Sequence, residues 1–197
     1  DSTDDSTKEE AKDESRDESK KDDRELISEF VEEFITYEGL LKSYQDPENG
    51  NTYIELSDED ISKEFIYFAH IINGTVEAGL FKGSHIDQAV IKFEKQFNSL
   101  NLVRVNTEYY FDPDSELSRQ SQSNISDSVI ENFEITHKNE DENTYLIDIT
   151  KLLKSDNLTK LKSEPRDYES DSFGVGSLSR SKTANSKVYN YPNKNDF

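Results

Sequence analysis

Residues 65–72 read FIYFAHII, and both alternating faces of this run are apolar. Phe65, Tyr67, Ala69 and Ile71 share one face, while Ile66, Phe68 and Ile72 share the other. Successive side chains of a strand point to opposite sides, so two apolar faces predict a central strand covered on both. The run stops at Asn73-Gly74. Both residues tolerate positive φ, which favours a tight type I′ turn and an antiparallel return. The hairpin 64–84 is therefore expected to form the core of the folded part.

The rest of the chain has to supply what covers that hairpin. At 197 residues it has room for one ordinary domain with appendages. It carries 43 Asp+Glu against 23 Lys+Arg, a net charge of -20. That balance argues against nucleic acid, whose phosphates would be repelled, and against docking on anionic lipid through a basic patch. Only 31% of residues are hydrophobic, and the deficit is concentrated at the N-terminus. Residues 1–24 contain one apolar side chain, Ala11, and are expected to be a disordered, acidic, Ser-rich tail. A solvated spacer is one reading of the tail. The other is a tether behind a lipid-modified N-terminal cysteine. The chain starts at Asp1 and contains no methionine, so it reads as part of a longer translation product. With no cysteine, disulfides and thiolate chemistry are ruled out, but the compartment is not fixed. No apolar run approaches the roughly 20 residues of a membrane-spanning helix.

Residues 25–36 place Leu26, Phe30, Val31 and Phe34 at helical spacing opposite Glu25, Glu29, Glu32 and Glu33, which predicts a short amphipathic helix. Its apolar face would pack on the domain or on an absent partner segment. From 37 to 160 the pattern turns to β. Segments 39–44 and 52–56 flank DPENGN and read as a hairpin, with a cap or turn at 57–60. Segments 88–93 and 101–105 alternate, giving about six short strands in an antiparallel sheet. A turn and helix start follow at Asp112-Pro113-Asp114. Val129, Ile130 and Phe133 predict a helix over 126–133, capped by Ser126 or Asn124. Segments 133–138 and 144–150 flank NEDEN as a further hairpin, with Tyr145, Ile147 and Ile149 inward and a helical turn over 151–157. Residues 161–197 read as irregular, with one strand at 188–191 and no convincing terminal element, leading into a missing C-terminal part. The expected fold class is α+β and β-rich: an antiparallel sheet of successive hairpins with a few short helices.

The residues offer little chemistry. His70, His85 and His137 lack metal-binding spacing and no HExxH is present. His70 reads as a buried structural histidine on the central strand, His85 as a surface loop residue, and His137 as lying near a sheet edge. Asp112 and Asp114 read as turn and cap residues. Gly174 and Gly176 lack the Lys and the strand-to-helix context of a phosphate loop. Ser177 and Ser179 have no histidine nearby in sequence. The sequons at 73–75, 124–126 and 157–159 are short enough to arise by chance. Tyr53, Tyr67, Tyr109 and Tyr110 are candidates for aromatic ligand contacts or for the core. No catalytic, cofactor-binding or metal residue is assigned.

The stretches YEGLLKSYQDPENGNTYIEL (37–56), KEFIYFAHIINGTVEAGLFKGS (63–84), YYFDPDSELS (109–118), FGVGSLSRSKT (173–183) and NYPNKNDF (190–197) carry a family likeness. In that order the chain resembles the N-terminal, non-catalytic region of a large family of bacterial exported zinc-dependent metalloproteases, in which two adjoining domains of unknown function precede the peptidase domain. The resemblance implies an accessory region whose partner is the C-terminal peptidase domain of the same polypeptide. The HExxH motif and its zinc would lie in that missing domain, so no site residue carries over. It also implies export to the periplasm, outer membrane or cell surface, often as a lipoprotein, with a membrane contact only through an N-terminal lipid anchor. Two other readings stand beside it: a free-standing, surface-displayed peptide- or glycan-binding module, and a small hydrolase.

Overall fold

The computed structural model describes residues 26–61, 63–74, 76, 80–108, 126–139, 141–158, 179–185 and 187–197. The expectations for 1–24, for Tyr109, Tyr110, Asp112, Asp114 and Asn124, and for Gly174, Gly176 and Ser177 lie outside these residues. A short helix α1 (Ile27–Phe30) precedes strands β1 (Ile35–Tyr37), β2 (Lys42–Gln45), β3 (Thr52–Ser57), β4 (Glu64–His70), β5 (His85–Gln96), β6 (Ser99–Arg104), β7 (Ser128–Asn139) and β8 (Thr144–Asp148). Helix α2 (Thr150–Leu153) and the strands β9 (Tyr189–Tyr191) and β10 (Lys194–Asp196) complete it. The molecule is β-rich, as its sequence pattern implies.

Eight strands form one antiparallel sheet in the order β1-β2-β3-β8-β7-β6-β5-β4. After β3 the chain crosses to the far edge, then returns strand by strand as a meander until β8 lies against β3. Strands β5 and β7, 12 residues each, exchange partners along their length. The first half of β7 pairs with β6 and the second half with β8. Two register shifts, opposite Leu102/Val103 and at Ile135/His137, lie in β7, and one opposite Ala69/His70 lies in β5; such bulges bend a strand and increase its local twist. The sheet curls until Ile61, just beyond β3, forms a bridge to Phe93 of β5.

The concave side holds the main core. Ile54 and Leu56 of β3 face Ile147 and Tyr145 of β8, and Leu100 of β6 faces Phe133 of β7. Leu56, Leu100 and Ile147 have no exposed surface. Strand β8 is covered on both faces, because Leu146 points the other way into a second cluster with Ile27, Val31 and Tyr44. There α1 lies on the outer face, and the Phe30 ring meets Tyr53 at 5.4 Å and stacks on His137 at 4.0 Å.

The structure departs from the sequence pattern in several places. Helix α1 spans only Ile27–Phe30 of the expected 25–36, because Ile35, Thr36 and Tyr37 pair with β2 instead. Their β-branched and aromatic side chains favour the pleated sheet. The helix expected over 126–133 is the first half of β7; Phe133 is buried against β6 while Val129 is 57% exposed, so strand pairing overrides the helical spacing. The hairpin 64–84 does not form the core. Its first strand, β4, is an edge strand of the sheet, at the end opposite β1. Asn73-Gly74 is not a two-residue turn, since the Ile71 N–H donates to Ser84 O at 2.9 Å and closes a longer loop. Gly74 is needed for space: a Cβ there would stand 2.6 Å from Leu80 O.

The C-terminus does carry a terminal element. Strands β9 and β10 form a hairpin clamped onto the segment between β1 and β2. The Asn195 side chain accepts the Leu41 N–H at 2.9 Å and donates to Leu41 O at 2.7 Å, as a neighbouring strand would. Asn190 Nδ2 donates to Tyr37 O at 2.8 Å and to Leu41 O at 2.9 Å. Gly39 permits this approach, because a Cβ there would meet Asn190 Cβ at 2.7 Å.

Candidate interaction surface

Strand β4 pairs with β5 on one side, and no strand among the described residues pairs with its other side. The hydrogen-bonding phase follows from its neighbours. Val90 accepts a hydrogen bond from Val105 N–H at 2.9 Å, so the Val90 backbone faces β6. Its partner Ile66 is then a non-hydrogen-bonded position toward β5. By alternation the backbone groups of Glu64, Ile66 and Phe68 point to the free edge, while those of Phe65, Tyr67 and Ala69 face β5.

The side chains divide as sharply. Phe65 packs on Phe93 with ring centroids 6.4 Å apart, and Ala69 and Ile71 are buried. Tyr67 sends its hydroxyl to Leu158 O at 3.1 Å, and burial pushes the phenol up from 10.0 to about 12. On the opposite face Ile66 is 73% exposed and Phe68 55%, and Ile72 just beyond the strand is 82% exposed. An apolar face on an open edge is the feature that folded proteins generally suppress with charge, proline or cover.

His70 corrects the sequence reading most directly. It is exposed, because the face it shares with Ile66 and Phe68 is the uncovered one. It lies across from His85, the first residue of β5, with ring centroids 5.5 Å apart, and Phe68 is 6.3 Å from each ring. His137 lies apart from this pair, stacked on Phe30 under α1. Among the described residues no group of three or more His, Asp or Glu is placed to hold a metal ion. Tyr53 belongs to the cluster under α1, not to a ligand surface. Ser179 is exposed, with its hydroxyl 3.0 Å from that of Ser181.

Along β5, β6 and β7 the sheet opens into shallow depressions around Arg104, which is ion-paired with Asp87. Asn157 donates to Glu131 there at 2.8 Å. Lys92 bridges Glu94 and Asp127, each at 2.9 Å. Hydrogen bonds to those carboxylates raise the Lys92 ammonium pKa, and the Asn106 N–H with Lys92 holds the Asp127 carboxyl below its ordinary range. These charges are answered within the chain. Among the described residues, the outer edge of β4 combines exposed apolar side chains with backbone that no strand pairs.

The signal that distinguishes the two faces was present in the sequence. The inner set, Phe65, Tyr67, Ala69 and Ile71, is wholly apolar. The outer set begins at Glu64 and ends its strand at His70, with only Ile66 and Phe68 between them. No helix among the described residues is long and apolar enough to cross a membrane.

No curated protein and no solved structure matches the chain. A family model does match, over residues 83–197, which begins just before β5 and runs through β10. Three of the family-like stretches, 109–118, 173–183 and 190–197, fall within it. By that match over more than half of its length, the chain belongs to the family described as a domain of unknown function, DUF5117.

Proposed function

We propose that this chain is a non-catalytic interaction module that engages extended polypeptide by strand pairing along β4. The observation that carries this reading is the outer edge of β4, which no strand among the described residues pairs and which presents exposed Ile66 and Phe68. An added strand takes affinity from main-chain hydrogen bonds and selectivity from alternate side chains.

We place the module in the N-terminal accessory region of a bacterial exported zinc-dependent metalloprotease, on the strength of the ordered stretches from 37 to 197. Zinc would then belong to the peptidase domain of the same polypeptide, and the acidic tail would serve as the spacer behind a lipid anchor. The second reading, a free-standing module on the cell surface, draws on the same edge, which suits a peptide better than a glycan because a sugar supplies no strand to pair.

The coding sequence around the chain tests the assignment. An in-frame HExxH-bearing domain downstream is the expected result. A stop codon shortly beyond Phe197 would remove the protease assignment and leave the free-standing module. Strand pairing itself is tested by NMR of the 197-residue chain titrated with extended apolar peptides. Shifts confined to β4 and its flanking loop support it, and shifts confined to the Arg104 depressions would contradict it.

A further inference from the structure

The geometry points to a specific occupant of the β4 edge: the same strand of a second copy, paired antiparallel about a two-fold axis at Tyr67. This inference rests on the reading of β4 as a pairing edge and adds the partner and the register.

A strand paired with itself can choose its centre, and its sequence decides which centre is satisfied. With the axis at Tyr67, Ile66 lies opposite Phe68 of the second copy and Glu64 lies opposite His70. Each pairing occurs twice by symmetry. All four residues lie on the same exposed face. Apolar thus meets apolar, and a carboxylate meets an imidazole that can donate to it.

Neighbouring centres fail this test. An axis at Ile66 sets Glu64 against Phe68, and an axis at Phe68 sets Glu64 against Ile72 and Ile66 against His70. Backbone phase agrees with the Tyr67 axis. Glu64, Ile66 and Phe68 direct their N–H and C=O groups to the free edge, so Ile66 and Phe68 of opposite copies exchange both bonds. Tyr67 then occupies the non-hydrogen-bonded position on the axis. The irregularity near this strand also spares it. Ala69 pairs with Asp87 and His70 with His85, so the extra residue, Ile86, sits in β5 and β4 runs unbroken to its end.

The absence of cysteine makes register directly measurable. In the proposed pairing, positions 66 and 68 of opposite copies have Cα atoms about 5.5 Å apart, within the span of a disulfide. Positions 66 and 66 are offset by two residues and lie beyond about 7 Å, where a bridge does not form without backbone movement.

An equimolar mixture of Ile66→Cys and Phe68→Cys chains, oxidised mildly and resolved by mass spectrometry, should give the mixed 66–68 disulfide in several-fold excess over either homodimer. Both positions are exposed, so neither substitution disturbs the core. Tyr67→Cys alone should close a symmetric disulfide on the axis. Sedimentation equilibrium of the unmodified 197-residue chain should show a monomer–dimer equilibrium, and Ile66→Lys should weaken it at least about tenfold. Dominant 66–66 or 68–68 products would overturn the register. A chain that stays monomeric at millimolar concentration and forms no specific disulfide would overturn self-pairing. If β4 resonances still shift with an extended peptide in that case, the edge reading survives and only the second copy is lost.

Discussion

Asn195 shows how much one side chain can hold at the residue scale. Its amide serves both backbone groups of Leu41, and Asn195→Ala would strand the Leu41 N–H, while Leu41 O keeps the Asn190 amide as a donor. We predict a loss of about 1–3 kcal/mol in urea unfolding, the cost of a stranded buried polar group. Cleavage within 187–197 should also become faster under limited proteolysis. Tyr67 gives a prediction in pH. Its phenol pKa is raised from 10.0 to about 12 in the folded chain, chiefly by burial. Above pH 10 the unfolded chain releases this proton while the native chain retains it, so stability falls as pH rises through that window. Tyr44 is raised as well, by burial and by its hydrogen bond to Glu55, and adds to the same slope. The urea midpoint should therefore drop between pH 9.5 and 12, and Tyr67→Phe should flatten part of the drop. A midpoint independent of pH over this range would contradict the burial of both phenols.

At the scale of the element, the hairpins were legible and the position of β4 was not. DPENGN and NEDEN mark the β2–β3 and β7–β8 connections because they combine turn formers with alternating apolar flanks. The inward residues Tyr145, Ile147 and Ile149 were readable from their period of two. Strand β4 misleads because the centre of its exposed face, Ile66 and Phe68, is as apolar as a buried one, and only Glu64 and His70 at its ends mark that face as open. The segment 126–133 misleads in the opposite way: Val129, Ile130 and Phe133 mimic a helix when one of them is simply exposed. Candidate site residues fared likewise. The pairing of His70 with His85 depends on the strand register and on a bulge, neither of which local sequence encodes. Strand β9 was readable at 188–191, but β10 and the docking of the hairpin were not, because they depend on contacts with residues 37–43, about 150 positions away in the chain. A Leu56→Ala substitution probes the element that joins both halves; with no exposed surface at that site, the loss should be about 2–5 kcal/mol by urea unfolding.

Taken as a whole molecule, the sheet does not divide where the family match begins. Residues 83–197 supply β5 to β8, yet β3 pairs with β8 and Ile61 bridges to Phe93, so the N-terminal segment completes the same sheet and the same core. A chain trimmed to 83–197 should show no cooperative unfolding transition, whereas one trimmed to 26–197 should unfold like the full chain. Independent folding of 83–197 would contradict a shared core. With a net charge of -20, self-association should tighten as salt rises from 0.05 to 0.5 M, since relief of the net repulsion outweighs the weakening of the two Glu64–His70 pairs. Peptide capture and self-pairing both require β4 to be an open edge, and amide hydrogen exchange resolved by NMR tests this most directly. In the Ile66→Lys variant, kept monomeric, the amides of Phe65, Tyr67 and Ala69 should be protected and those of Ile66 and Phe68 should exchange nearly as fast as unstructured chain. Uniform protection across residues 65–69 in that monomer would show a strand paired on both sides and would rule out strand addition along β4.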